Sequence, residues 1–132
     1  MAGEEGRPLR NEPRVHRYDL PDGWTVLAGR TDADNERLSL DIARPDDWWF
    51  HVRGMSGSHV LLLARQGLEP DRETLRRAAA IAAWHSKARG GGVVGVSCTR
   101  GRYVTKPRGA RTGTVSIRRE SVIKARPALP EV

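Results

Sequence analysis

The chain has 132 residues, 38% hydrophobic and 30% charged, with a single cysteine and a net charge of +7. That length supports one hydrophobic core without disulfides or metals to staple it, and the lone Cys98 excludes an internal disulfide. No apolar run approaches the roughly 20 residues of a membrane-spanning helix, and the polar, acidic start from Met1 to Gly6 does not read as a signal peptide, so a cytoplasmic protein without a membrane partner is expected.

Residues 1–12 lack periodicity and are expected to be a flexible N-terminal tail, 13–127 the folded domain and 128–132 a C-terminal tail. Val15-His16-Arg17-Tyr18-Asp19-Leu20 and Trp24-Thr25-Val26-Leu27-Ala28 flank Pro21-Asp22-Gly23, which predicts a hairpin with Asp-Gly at its turn. Thr31 or Asp32 can cap a short helix with Leu38 and Ile42 on one face, ended before Pro45.

The next segment, Asp46 to Val60, holds half of the four tryptophans and half of the four histidines. Trp48 to Arg53 alternates like a strand, Gly54 to Gly57 carries turn chemistry, and Ser58 to Leu63 reads as a second, aliphatic strand. Trp48, Phe50 and Val52 point to one side, and Trp49, His51 and Arg53 to the other, and one of the faces is expected to be free for recognition. The register is open: if Arg53 pairs with Ser58, His59 stands opposite His51, whereas if Arg53 pairs with His59 the two histidines meet.

Asp71 and Glu73 place negative charge at the start of a long helix predicted to end near Arg89 and Gly90-Gly91-Gly92. Leu75, Ala78, Ala79 and Ala82 form its buried stripe, which His85 continues as a core or rim residue. Val93 to Thr99 is a strand, with Cys98 in it as a small hydrophobe, and Tyr103-Val104 continues extended structure. Thr114 to Ile117 and Val122 to Ala125 read as a closing pair of strands. The result is an α+β domain: a mostly antiparallel sheet of hairpins with one short and one long helix packed against it.

Charge is the main functional signal. From His85 to Arg126 there are eleven Lys or Arg against one acid, Glu120, a net of +10, so the remainder sums to −3. A potential that one-sided attracts polyanions, of which nucleic acid is the commonest in cells. Within it, Lys106-Pro107-Arg108-Gly109-Ala110-Arg111-Thr112-Gly113 sets three cations in a frame of Pro and Gly, which suits close approach to a phosphate backbone. It lacks the spacing of a nucleotide-binding P-loop.

Catalytic chemistry is not indicated. His51 and His59 need a third ligand to hold a metal, with Asp46, Asp47 or His16 as candidates, and their spacing matches no standard zinc pattern. Ser58 and His59 are successive strand residues that point to opposite faces, and Ser86 and Cys98 lack an evident base. No cofactor, metal or catalytic residue is expected.

Four ordered blocks carry a resemblance. They are Gly29-Arg30 with Asn35 and Leu38; Asp47 to Arg53 with Gly57-Ser58-His59-Val60; Ala78-Ala79 to Ala82-Ala83-Trp84-His85-Ser86-Lys87; and Val104 to Val115. Together these resemble the NFACT-R domain, the RNA-binding module at the C-terminal end of ribosome-associated quality-control factors once called fibronectin-binding proteins. The likeness runs from about Tyr18 to Pro127. Thr105-Lys106-Pro107 stands where the family commonly has Lys-Lys-Pro, Thr112-Gly113 where it has Pro-Gly, and Val96-Ser97-Cys98-Thr99 replaces a Val-Asp-Tyr-Thr type of strand.

The resemblance implies an RNA-binding domain whose target is tRNA, rRNA or a tRNA–ribosome interface on the large ribosomal subunit. Full-length factors add a glycosylase-like domain, a helix-hairpin-helix segment and a coiled coil, so a stand-alone version of the domain is expected here. Arg30, Arg53, Lys87, Arg89, Arg102, Lys106, Arg108 and Arg111 are expected to contact phosphate, and His51, Ser58 and His59 sugar or base edges. Of Trp48 and Trp49, one is expected in the core and one partly exposed. Two other readings stay open: an interaction subunit that docks through an exposed tryptophan hairpin, and an accessory subunit that delivers tRNA to a modifying enzyme.

Overall fold

A computed structural model describes residues 13–130. The N-terminal residues expected to form a tail lie outside that range. Strands β1 (Val15–Asp19) and β2 (Thr25–Gly29) form the expected hairpin, joined through the Pro21-Asp22-Gly23 turn. Helix α1 (Asp32–Arg37) follows, and Thr31 caps it as the sequence predicts. Thr31 Oγ1 accepts from the Asp34 amide at 3.1 Å and donates to Asp34 Oδ2 at 2.8 Å, a reciprocal cap. The chain then continues as a π-helical turn, Leu38–Ile42, before Pro45.

Strands β3 (Trp48–Val52) and β4 (Val60–Leu62) form the tryptophan hairpin, and helix α2 (Arg72–Trp84) starts at Asp71, whose carboxylate accepts from the Thr74 amide. Strand β5 (Val94–Arg100), the short pair β6 (Val104–Thr105) and β7 (Ser116–Ile117), and β8 (Ser121–Ala125) complete the chain. The main sheet is antiparallel, in the order β1-β2-β4-β3-β5-β8. The α+β expectation holds.

Two cores sandwich this sheet. On one face Ala78, Ala79 and Ala82 of α2 pack on Phe50, Val96 and Cys98, and the small helix side chains let the backbone approach closely. On the other, Leu38 of the π-turn and Val104 of β6 cover Leu27, Trp49 and Leu61. The face of β3 expected to be free is therefore largely covered. Trp49 is buried, while Trp48 is half-buried beneath the Arg100 guanidinium at 3.7 Å.

Three local expectations are corrected. Alpha-helix α2 ends at Trp84, because Ser86 bridges to Gly57 and the Lys87 amide donates to Ser56, so the chain after the helix is drawn into the tryptophan hairpin. The two last strands do not pair with each other: β7 joins β6 in a separate two-stranded sheet, and β8 joins β5. Finally, the hairpin register is neither alternative. Phe50 pairs with Val60, and the same register carried one step on sets His51 opposite His59, with parity as in the second alternative but two residues displaced.

Candidate nucleic-acid interface

Because His51 and His59 share a face, their rings meet edge to face at 5.6 Å, with the Trp49 indole 6.1 and 5.3 Å away. A hydrogen-bond chain orients this cluster: Trp49 Nε1 donates to Ser39 Oγ at 2.8 Å, and Ser39 Oγ lies 2.7 Å from His59 Nδ1. Asn35 Oδ1 accepts from the His59 amide at 3.0 Å. Burial, and then the neighbouring His51, push His59 down to about 4, and burial also lowers His51 against a hydrogen bond to the Gly57 backbone. Both rings are neutral at pH 7.

The pair opens into a recess of about 470 Å³ whose walls include Asp32, Asn35, Gly57, Gly113 and Thr114. A second groove of about 390 Å³ shares Asp32, Asn35, Ser56 and Gly57 with it, and is lined beyond them by Arg30, Lys87, Arg89, His16 and His85. Two glycines make the shared wall thin. A Cβ at Gly29 would lie 2.1 Å from Asn35 Oδ1, and one at Gly57 would lie 2.6 Å from Ser86 Cβ. The backbone approaches that closely only without a side chain.

In the groove the cations are held differently. Arg89 Nε donates to the Trp84 carbonyl at 2.8 Å, satisfying an end group of α2, and its guanidinium covers the Trp84 ring at 4.6 Å. Arg30 and Lys87 are exposed and form no ion pair among the described residues. His16 stacks on His85 at 4.5 Å, and Tyr18 Oη lies 2.6 Å from His85 Nε2. Burial, then the charges of Arg30 and Arg89, lower His16; burial, then His16 and Arg89, push His85 down to about 4. His85 is thus a rim residue, as the sequence suggested, but one that lines the groove.

The remaining candidates divide. Ser58 lines the groove, yet its hydroxyl donates to the Gly29 carbonyl at 2.6 Å and braces β2 against the hairpin. Lys106 Nζ sits 2.6 Å from Glu36 Oε1 and 2.7 Å from the Arg111 carbonyl, and the Gly113 amide donates to the same Glu36 oxygen at 2.8 Å. Lys106 therefore fastens the basic loop to α1, while Arg108 and Arg111 stay exposed on it. Arg53 lies outside both recesses, 3.5 Å from Glu120. Arg102 is at the far end of β3, bound to Asp46 and the Pro45 carbonyl.

The conceivable metal ligands do not assemble. His16 stands with His85, and Asp47 is fully buried, accepting from the amides of Arg44 and Ala64 at 2.8 and 2.7 Å. Among the described residues no three His, Cys, Asp or Glu side chains are placed to share a metal ion. Burial pushes the Cys98 thiol up to about 12. Glu36 and Ser39 contribute to the site without being singled out from the sequence; Asp32 was read only as a helix cap, and Asn35 and Gly57 were visible in the blocks of the resemblance.

A basic groove continuous with a neutral aromatic recess, on a sheet built of hairpins, defines a class of module suited to nucleic acid. Residues 14–119 match the model of the NFACT protein RNA-binding domain, and the chain belongs to that family. It is 39% identical over 106 residues to the Rqc2 homolog RqcH of Bacillus subtilis, covering 80% of this chain and 18% of that protein. The Rqc2 homolog RqcH of Streptococcus suis is 31% identical over 120 residues, 90% of this chain and 21% of the relative. The chain thus spans about a fifth of the length of the curated relatives it matches. Among solved structures, the C-terminal part of the fibronectin/fibrinogen-binding protein from Streptococcus suis superposes with a TM-score of 0.78 at 30% identity, covering 96% of this chain and 53% of that one.

Proposed function

We infer that this protein binds structured RNA through the Arg30–Lys87–Arg89 groove, with tRNA or the tRNA–ribosome interface of the large subunit as its target in ribosome quality control. The observation that carries this reading is the groove itself. Two exposed cations that form no ion pair among the described residues flank a third whose guanidinium is already fixed against Trp84, so phosphate gains charge-assisted contacts at little ordering cost. The family match supports RNA as the polyanion, and the similarity to the RqcH proteins supports the pathway. The protein acts as a binding module rather than as an enzyme.

A protein-docking role for the tryptophan hairpin has less support, because Trp49 and Phe50 are buried and Arg100 lies over Trp48. Arg108 and Arg111 extend the positive surface from the loop that Lys106 fastens beside the groove.

Fluorescence anisotropy of labelled tRNA against salt tests the reading. The wild-type protein is expected to bind with a log–log salt slope of about −5, roughly one unit each for Arg30, Lys87, Arg89, Arg108 and Arg111, and Arg30→Ala with Lys87→Ala to make it shallower by about two. Equal affinity and slope in the folded double variant would remove the groove from the interface.

A further inference from the structure

The groove described above explains attraction to phosphate but leaves the adjoining recess without a use. Its chemistry differs. The partly exposed His51 lies at its floor, backed by the buried rings of Trp49 and His59, and both imidazoles are held toward the neutral form, so it offers polar and aromatic contacts rather than positive charge. Asp32 stands on the wall that the recess shares with the groove, and among the described residues no Lys or Arg lines the recess.

We propose that this histidine recess takes one unstacked nucleobase of a bound RNA strand, while the phosphate beside that base sits in the Arg30–Lys87 groove. The proposal rests on the RNA-binding reading and names the RNA feature that the site selects: a bulged or looped nucleotide, not a continuous duplex. Three observations carry it. The recess and groove are separated only by the thin wall at Gly57, so a base and its own phosphate can occupy both. The chain Trp49–Ser39–His59 fixes the buried His59 ring, which in turn backs the partly exposed His51 that faces the recess. Among the described residues Arg30, Lys87 and Arg89 line the groove alone and no Lys or Arg lines the recess, which sets which end of the nucleotide enters which compartment. Unstacked bases are also the part of RNA whose edges a protein can reach. Asp32 accepts N–H donors, so a base that presents an amino edge, such as guanine, suits the recess better than uracil.

The test compares an RNA hairpin that carries one bulged guanosine with its perfectly paired counterpart, by anisotropy and by the histidine ring C–H resonances of the labelled protein. The bulged RNA is expected to bind about tenfold tighter and to shift the His51 and His59 signals, whereas the duplex shifts only His16 and His85 of the groove. Thr114→Phe, at an exposed position on the recess wall, should fill the recess and erase the preference while leaving duplex affinity unchanged. Equal binding of both RNAs with His51 and His59 unmoved would overturn the base pocket and leave the RNA reading standing. If neither RNA nor tRNA binds, the RNA reading itself falls, and this inference with it.

Discussion

Both ends of β3 carry basic residues, yet the fold sets them in different company. Beyond Trp48, Arg100 is stacked on the indole and lies 3.4 Å from Glu69, and Arg102 is bound to Asp46. The recess there is larger, about 760 Å³, but Asp46 and Glu69 line it together with Arg44, Arg65 and Arg100. At the His51 end, Arg30 and Lys87 have no such partners among the described residues. Positive charge in a sequence marks a site only where the fold leaves it unspent, and neither net charge nor cavity size makes that distinction.

The comparison breaks most sharply under charge reversal. Arg30→Glu with Lys87→Glu is expected to weaken tRNA binding on the order of a hundredfold at moderate salt, since each lost phosphate contact also becomes a repulsion. Anisotropy at two salt concentrations checks it; a loss below threefold would mean that the groove is not where RNA sits.

Acid separates the two ends in another way, because all the histidines lie toward the groove end. His59 and His85 stand at about 4 in the folded protein against an ordinary 6.5, mainly through burial. Between those values the unfolded chain binds protons that the folded one refuses. The histidine contribution to stability is therefore full above about pH 6.5 and is lost as pH drops toward 4, and the lowered carboxyls of Asp34, Glu36 and Asp71 continue the loss in stronger acid. A melting temperature several degrees lower at pH 4.5 than at pH 7 is expected in calorimetry. His59→Gln should flatten part of that dependence.

A smaller effect sharpens the role of the loop. The Lys106–Glu36 pair is only partly exposed and also engages the Gly113 amide, so a double-mutant cycle of Lys106→Met and Glu36→Gln should give a favourable, measurable coupling in stability. Lys106→Met is then expected to reduce RNA affinity by loosening the loop, whereas Arg108→Ala should lower the salt slope without changing the melting temperature. Least affected of all is Arg102→Ala, expected to alter RNA affinity less than twofold in the same anisotropy assay.

Local signals were legible where one stretch of chain decides its own structure. The Thr31 and Asp71 caps, the Asp-Gly turn and the alanine stripe of α2 all follow from short-range chemistry. What the sequence hid is settled across distance. Alternation in Trp48–Val52 and Val60–Leu62 fixes faces but not register, which the contacts of Asn35 and Gly29 with His59 help to set. The end of α2 depends on Ser86 meeting Gly57, and β7 finds β6 rather than β8. Likewise, nothing local to Lys106 announces Glu36, 70 residues earlier, which the fold sets against it.

The groove draws on four separate stretches, at His16, at Gly29 to Asn35, at Ser56 to Ser58 and at His85 to Arg89, and the bridge between Gly57 and Ser86 closes its wall. No excised peptide contains it. A disordered basic tail keeps its grip on RNA in denaturant because its charges need no arrangement, but here affinity must collapse along the same urea curve as the fold. Binding is in that sense an assay of tertiary closure: a variant that retains every cation yet lets the bridge open would keep its isoelectric point and lose its ligand.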